Sequence, residues 1–426
     1  MALEQGLRRA PSARVPRPPS AGPELPPGAP LAALVLAAVA RDPVREAGVH
    51  RVRASLEEAR AEASLPPPEV ALEVWNLPLA QPYALGQADM YMVELRQRLT
   101  PSGMRDGLAR ASLEEARAVT SELAERELEV AERVTMAYSE CFAAARHHAL
   151  HEAHLTVLDA MREAVLARLS AGSGDLAQVA RVEAERARVL RSLSRYHGDR
   201  VRASRALDAL VQRPTGTDLG VCEAPSALTP REDPERLVTR ALSLRGQVRA
   251  ARGMERAALA RAEASRAEAR WPELMLGASY WQMPEQRPGV GLSIATSLPW
   301  LSPGGRARAR AAEERALSAR ASAAEAERSV RAEVLEALSR MDTLGRELAT
   351  LRAVTLPSLD RARDATAVAY IHQRAELLEW IDAARMRLDA EMDDADLVAE
   401  LLRAGASLDR AVGAPVPRSP VTPEAP

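Results

Sequence analysis

At 426 residues, with 47% hydrophobic and 27% charged side chains, the chain is long enough for a large core and two or three domains. Aromatics make up only 3%, with a single phenylalanine, Phe142, which argues against a conventional compact enzyme core and for long helices packed through Ala, Leu, Arg and Glu. The formal charge is −2 and the arginines alternate with glutamates, a pattern that excludes a nucleic-acid surface.

Residues 1–30 are Pro-rich and aperiodic and are expected to be disordered. The apolar run from Pro30 to Ala40 is followed at once by Arg41-Asp42-Pro43, with no small-x-small cleavage site. It therefore reads as the opening turns of an amphipathic helix Leu31–Ser64, with a break at Asp42-Pro43 near its first third, and not as the apolar part of a signal peptide. Strand-like runs follow at Pro67–Trp75 and Asp89–Leu99, and Thr100-Pro101-Ser102-Gly103 ends the second. Met104–Leu169 is a helix-forming run without proline whose length, about 65 residues or nearly 100 Å, points to a coiled coil or an extended bundle. Ser170–Asp175 reverses the chain, with Asp175 as N-cap of a returning helix Leu176–Leu210.

Residues 212–234 read as a linker, after which the plan starts again. A helix Glu235–Arg270 leads to strands at Leu274–Met283 and Val290–Trp300. In the last of these, Leu292, Ile294, Thr296 and Leu298 alternate with Gly291, Ser293, Ala295 and Ser297. A long helix Arg306–Leu351 with a kink expected at Leu356-Pro357, a reversal at Tyr370–Ala375 and a returning helix Glu376–Val412 complete the second copy. The offset stays near ~200 residues from Pro68/Pro272 to Gly172/Gln373, so the chain is a tandem duplication: residues 31–211, then 235–413, then a Pro-rich tail, 414–426, expected to be disordered.

No nucleophile–base set, phosphate loop or zinc protease motif occurs, and Gly289-x-Gly291 lies in a strand, without the helix start that a dinucleotide loop requires. An enzyme is not expected, nor a cofactor. His147, His151 and His154 fall at i, i+4 and i+7 on one helix face, a spacing able to hold a divalent metal, although a polar helix face has the same pattern. The stripe Asp389, Glu391, Asp393, Asp394 and Asp396 reads as solvated or lumen-facing. Cys141 and Cys222 make either one disulfide or, as the favoured reading, two unpaired thiols.

Taken together, the order of these elements resembles the TolC-like outer-membrane efflux protein family, nearest to its heavy-metal efflux branch. The resemblance is carried by Leu34-x6-Arg41-Asp42-Pro43, by Pro68 and Pro272 ahead of the strands, and by Leu298-Pro299-Trp300-Leu301-Ser302-Pro303-Gly304-Gly305-Arg306. Arg168-Leu169-Ser170-Ala171-Gly172 and Leu377-Leu378-Glu379-Trp380-Ile381-Asp382-Ala383 carry it at the reversals, so that it covers roughly Leu31–Gly413. It implies a mainly α fold with a small β part. Duplicated helical hairpins would form a trimeric α-barrel, with four strands per chain contributing to a shared transmembrane β-barrel. The implied protein sits in the outer membrane with a periplasmic extension, and exports metal ions or small toxic compounds delivered by an inner-membrane pump through a periplasmic adaptor. The tips meeting that adaptor would be Arg168, Gly172 and Asp175 and, in the second copy, Tyr370, Gln373 and Glu376, with Gln373 standing where a glycine is expected. A soluble coiled-coil scaffold, or a truncated relative of such a duct, is the competing reading.

Overall fold

The computed structural model describes residues 25, 26, 28–77, 83, 85–214, 222, 223, 229–284 and 286–419. Most of the segment 1–30, and residues 420–426 of the tail, lie outside these. The chain is mainly helical. In order it forms α1 (Leu31–Arg41), α2 (Pro43–Ala63), β1 (Glu69–Trp75), β2 (Met90–Leu99), α3 (Ser102–Ser170), α4 (Leu176–Leu210) and β3 (Thr229–Pro230). There follow α5 (Pro234–Leu244), α6 (Gly246–Arg270), β4 (Leu274–Gln282), β5 (Gly289–Thr296), α7 (Pro303–Thr350), α8 (Leu356–Ile371), α9 (Leu377–Val412) and β6 (Arg418–Ser419). The second long helix begins at Pro303 where the first begins at Ser102, and the second returning helix at Leu377 where the first begins at Leu176. Both steps are 201 residues.

Two compact units emerge, and neither is one of the sequence repeats: each takes segments from both copies. In the first, drawn from 47–123 and 247–327, four antiparallel strands lie in the order β1-β2-β4-β5. Here α3 and α6 approach through small residues. A Cβ on Gly107 would lie 2.9 Å from the Ala260 carbonyl oxygen, and Ala111, Ala257 and Ala260 fill the seam. Flanking the seam are Arg110–Glu263 at 2.9 Å and Arg256–Glu114 at 2.7 Å. The alternating Arg and Glu of the sequence are thus partners across helices, each exposed pair contributing at most about 1 kcal/mol.

The second unit, from 25–46, 124–246 and 328–419, holds both helix reversals. Its core joins Leu158, Met161 and Val165 of α3, Val182 and Val189 of α4, Tyr370 of α8 and Leu377, Trp380, Ile381 and Ala384 of α9. A second cluster packs Leu34 and Ala38 of α1 on Val134, Tyr138, Ala203 and Leu207.

Four expectations need correction. The helix expected over Glu235–Arg270 breaks at Arg245, whose buried guanidinium donates to the Arg410 carbonyl and pairs with Glu333 at 2.9 Å and Glu125 at 3.1 Å. Arg41 does the same at the first break, donating to the Val211 carbonyl at 2.8 Å. Each break lets an arginine reach a carbonyl at the end of a returning helix, Val211 in the first copy and Arg410 in the second, where the intrahelical ladder runs out. Ahead of Pro357 the helix does not simply bend. Leu351–Thr355 widen into a π turn, which absorbs the missing N–H and the ring clash.

Cys141 and Cys222 are joined, with Cα atoms 6.0 Å apart, so the unpaired-thiol reading fails. Cross-linking residues 81 apart restricts the unfolded chain by about 4–5 kcal/mol on the chain-entropy account. The expected disordered tail begins, instead, as an ordered strand: Arg418 and Ser419 pair with Pro230 and Thr229, and Arg418 donates to Asp409 at 2.6 Å.

Candidate functional site

The sheet of the first unit is built in reverse of a soluble one. Hydrogen-bonded registers align Val70, Leu95, Ala278 and Leu292 in one row across all four strands, and Leu72, Val93, Tyr280 and Val290 in the next. These side chains share a face by the two-residue period of a strand. That face is open: Leu292 is 90% exposed, Val290 81% and Ile294 74%. An antiparallel sheet with one wet side normally turns its apolar residues inward.

The opposite face carries the charges. Glu94 of β2 is buried there and pairs with Arg96 at 2.5 Å, Arg96 lies 3.8 Å from Glu73, and Arg98 lies 3.8 Å from Glu69. Ser293 donates to Glu94 at 3.2 Å. The small residues of β5 follow from this packing. A Cβ on Gly289 or Gly291 would lie 2.5 Å from the Trp281 indole, and one on Gly277 would meet Ser293 and Glu94. β1 and β5 are the outer strands, and among the described residues neither has a second neighbour. No helix among the described residues is long and apolar enough to cross a membrane.

The reversals lie in the second unit, side by side. Gly172 takes φ +74°, and at Gly174 a Cβ would sit 2.6 Å from the Leu169 nitrogen, so the first turn needs both glycines. Asp175 accepts from Ala177 N at 3.0 Å as N-cap. The second turn takes the same course without glycine: Gln373 adopts φ +60°. Glu376 sits at the N-cap position of α9 but makes no capping bond. Tyr370 is not a free tip residue; it is 1% exposed, donates to Gln178 at 3.1 Å and lies under the Arg168 guanidinium, 4.8 Å from its ring centre. Arg168 and Tyr370 therefore tie the two turns together, while Leu176 and Ile371 remain exposed.

The histidine face of α3 points into this unit. His147 and His151 stand against the Tyr196 ring, with centroids 5.1 and 4.9 Å away, and His151 Nδ1 bonds the His147 carbonyl at 3.0 Å. His154 is buried near Glu185, which Arg385 holds with two hydrogen bonds, and burial lowers its pKa to about 4. Burial likewise lowers His151. Among the described residues no three His, Cys, Asp or Glu side chains are grouped so that they could hold a metal ion. The spacing that suggested a metal site is the core-facing stripe of the helix. In the acidic stripe, Asp394 is held by Arg352, Glu391 by Arg387, and Asp396 lies 3.2 Å from His147.

Sequence reasoning missed Trp281 and Arg245. The signal for the latter was available, because Arg245-Gly246 occupies the place of Arg41-Asp42-Pro43 in the earlier copy.

Neither a protein-family model nor a curated protein sequence matches the chain. Solved structures do. The outer membrane protein VceC of Vibrio cholerae superposes with a TM-score of 0.76 at 19% identity, over 90% of this chain and 96% of that one. The open state of the MtrE outer membrane channel of Neisseria gonorrhoeae gives 0.75 at 20% identity, over 90% and 89%. CusC, solved in connection with transmembrane channel formation, gives 0.77 at 16%, over 90% and 92%. The chain thus has the fold of the TolC-like outer-membrane channels, over nearly its whole length and nearly the whole of theirs.

Proposed function

We propose that the chain is one subunit of an outer-membrane exit duct. Three copies would pool their four-stranded sheets into one lipid-facing barrel, and their helical hairpins would continue it as a periplasmic tube. The observation that carries this reading is the inverted sheet. Nine of its side chains, Val70, Leu72, Val93, Leu95, Leu276, Tyr280, Val290, Leu292 and Ile294, are 40–90% exposed. At about 1.5–3 kcal/mol for each such side chain fully buried, leaving them in water forfeits on the order of 10 kcal/mol, comparable to a domain's whole stability. Lipid removes that cost, and the ion pairs Glu94–Arg96 and Arg98–Glu69 then line an aqueous lumen. Four strands cannot close on themselves, and open edges are not tolerated in lipid, so β1 must meet β5 of a neighbouring copy.

On this reading the duct does no chemistry. The exposed turn residues Gly172, Asp175, Gln373 and Glu376, with Arg168 beside them, would meet a periplasmic adaptor, and an inner-membrane pump would supply the metal ions or small toxic compounds that pass through. The disulfide supports export, since such bonds persist in oxidising compartments. Planar-bilayer recording tests the reading. Purified protein added to a lipid bilayer should give stepwise conductance; a preparation that never conducts, at any protein concentration, would overturn it.

A further inference from the structure

The duct reading gives the Cys141–Cys222 bond no part in conduction, and its surroundings give it a role of its own. Cys141 lies on the buried face of a helix that is continuous from Ser102 to Ser170, packed with Leu34, Val134 and Ala137. Cys222 lies in neither helix nor strand, in the stretch between the two copies. One turn before Cys141, the Tyr138 hydroxyl donates to the Glu223 carbonyl at 3.0 Å and accepts from the Glu223 N–H at 2.9 Å. A single side chain therefore satisfies both backbone groups of the residue beside the disulfide. Tyr138 and Glu223 also form part of the wall of a cavity of about 960 Å³, together with Leu31, Val35, Leu402 and Asp409.

We infer that this pair is an oxidation site, and that the bond together with Tyr138 forms a latch that seats the Cys222-Glu223 backbone against α3 and holds Glu223 in that cavity wall. The oxidant is a dithiol–disulfide exchange protein. Because Cys141 cannot leave its helix, exchange begins on Cys222. Its thiolate attacks one sulfur of the exchange protein's disulfide and expels the other as a thiolate. The Cys141 thiolate then attacks Cys222 in the mixed disulfide, forms the Cys141–Cys222 bond and expels the second thiolate. Two electrons pass to the exchange protein, and the two protons lost by the cysteines balance those its thiolates take up. Seating must precede the second step, since the bond requires the Cα atoms at about their observed 6.0 Å. The latch therefore records that α1, α3 and α4 have packed correctly.

This inference does not depend on the duct reading, and the two fail separately: conductance tests the duct, cysteine state and local cleavage test the latch. The full-length, natively expressed protein is first unfolded in an alkylating reagent without reductant; neither cysteine should be labelled. The folded protein is then treated with a glutamate-specific protease. Cleavage after Glu223 should be about tenfold faster once the protein is reduced, because cutting tracks the open population, while cleavage within α3 keeps its rate. Cys222→Ser should behave as the reduced protein, and Tyr138→Phe, with the bond intact, should fall between. If Cys222→Ser does not fold, reduction of the already folded wild type carries the comparison alone. Labelling of both cysteines without reductant, or equal cleavage after Glu223 before and after reduction, would overturn the latch.

Discussion

The four-stranded sheet and the paired reversals use the same kinds of side chain to opposite ends. Around the turns, Tyr370, Leu377 and Trp380 are buried against Leu158, Met161 and Val182, and a buried carboxylate nearby, Glu185, is held by Arg385. In the sheet, Val290, Leu292 and Ile294 lie outside, and the carboxylate Glu94 is buried. Both arrangements are consistent with burial of apolar surface; they differ in what counts as outside. The region around the turns buries its apolar residues as a protein in water does, and the sheet turns them outward, as the proposed duct in lipid requires.

Four tests can break or sharpen that contrast. The largest effect is expected at Trp380, which is 8% exposed. Trp380→Ala should cost about 3–5 kcal/mol in denaturant unfolding of the helical part. Next, Leu292→Arg should cost about 2–4 kcal/mol in bilayer insertion, read as lost membrane-integrated protein. If the same change costs under about 0.5 kcal/mol in every solvent, Leu292 is an ordinary exposed residue and the contrast collapses.

A third test is pH. Burial lowers His154 to about 4, so the folded state favours the neutral ring. The stability this provides is complete above the unfolded pKa of ~6.5. It is lost as pH falls towards about 4, amounting to about 3 kcal/mol over that window. Melts of the wild type should show this loss, and His154→Leu should flatten it; identical pH slopes would remove His154 from the core account. The smallest effect is at the second turn. Gln373 holds φ +60° where the first turn has Gly172, so Gln373→Gly should stabilise by about 1 kcal/mol. A destabilised variant would show that the Gln373 side chain makes a contact worth more than the strain.

Much of this was legible in the sequence, for identifiable reasons. The two-residue alternation of Leu292 and Ile294 against Gly291 and Ser293 fixes two faces once a strand is assumed, and the repeat supplies the assumption. Alternation does not say which face is wet; that came from the register of four strands and from Trp281 lying over Gly289 and Gly291. The i, i+4, i+7 histidines stayed ambiguous because a metal face, a polar face and a core face have the same period; what the sequence could not show is their neighbours, Tyr196 and the Glu185–Arg385 pair. The disulfide was hard to read because two cysteines 81 residues apart carry no periodic signal; their meeting depends on the tertiary cluster that residues of α1, α3 and α4 form around them. The break at Arg245 was marked only by Gly246 and by its match to Arg41-Asp42-Pro43 in the first copy, and it lets Arg245 reach a carbonyl 165 residues away.

The claim that the sheet is completed by neighbouring copies in lipid is tested most directly by fractionating the natively expressed protein and running it unheated on an SDS gel. The account predicts a band of three chains, confined to the outer-membrane fraction, that collapses to a single chain on boiling. A soluble protein migrating as one chain with or without heating would contradict it.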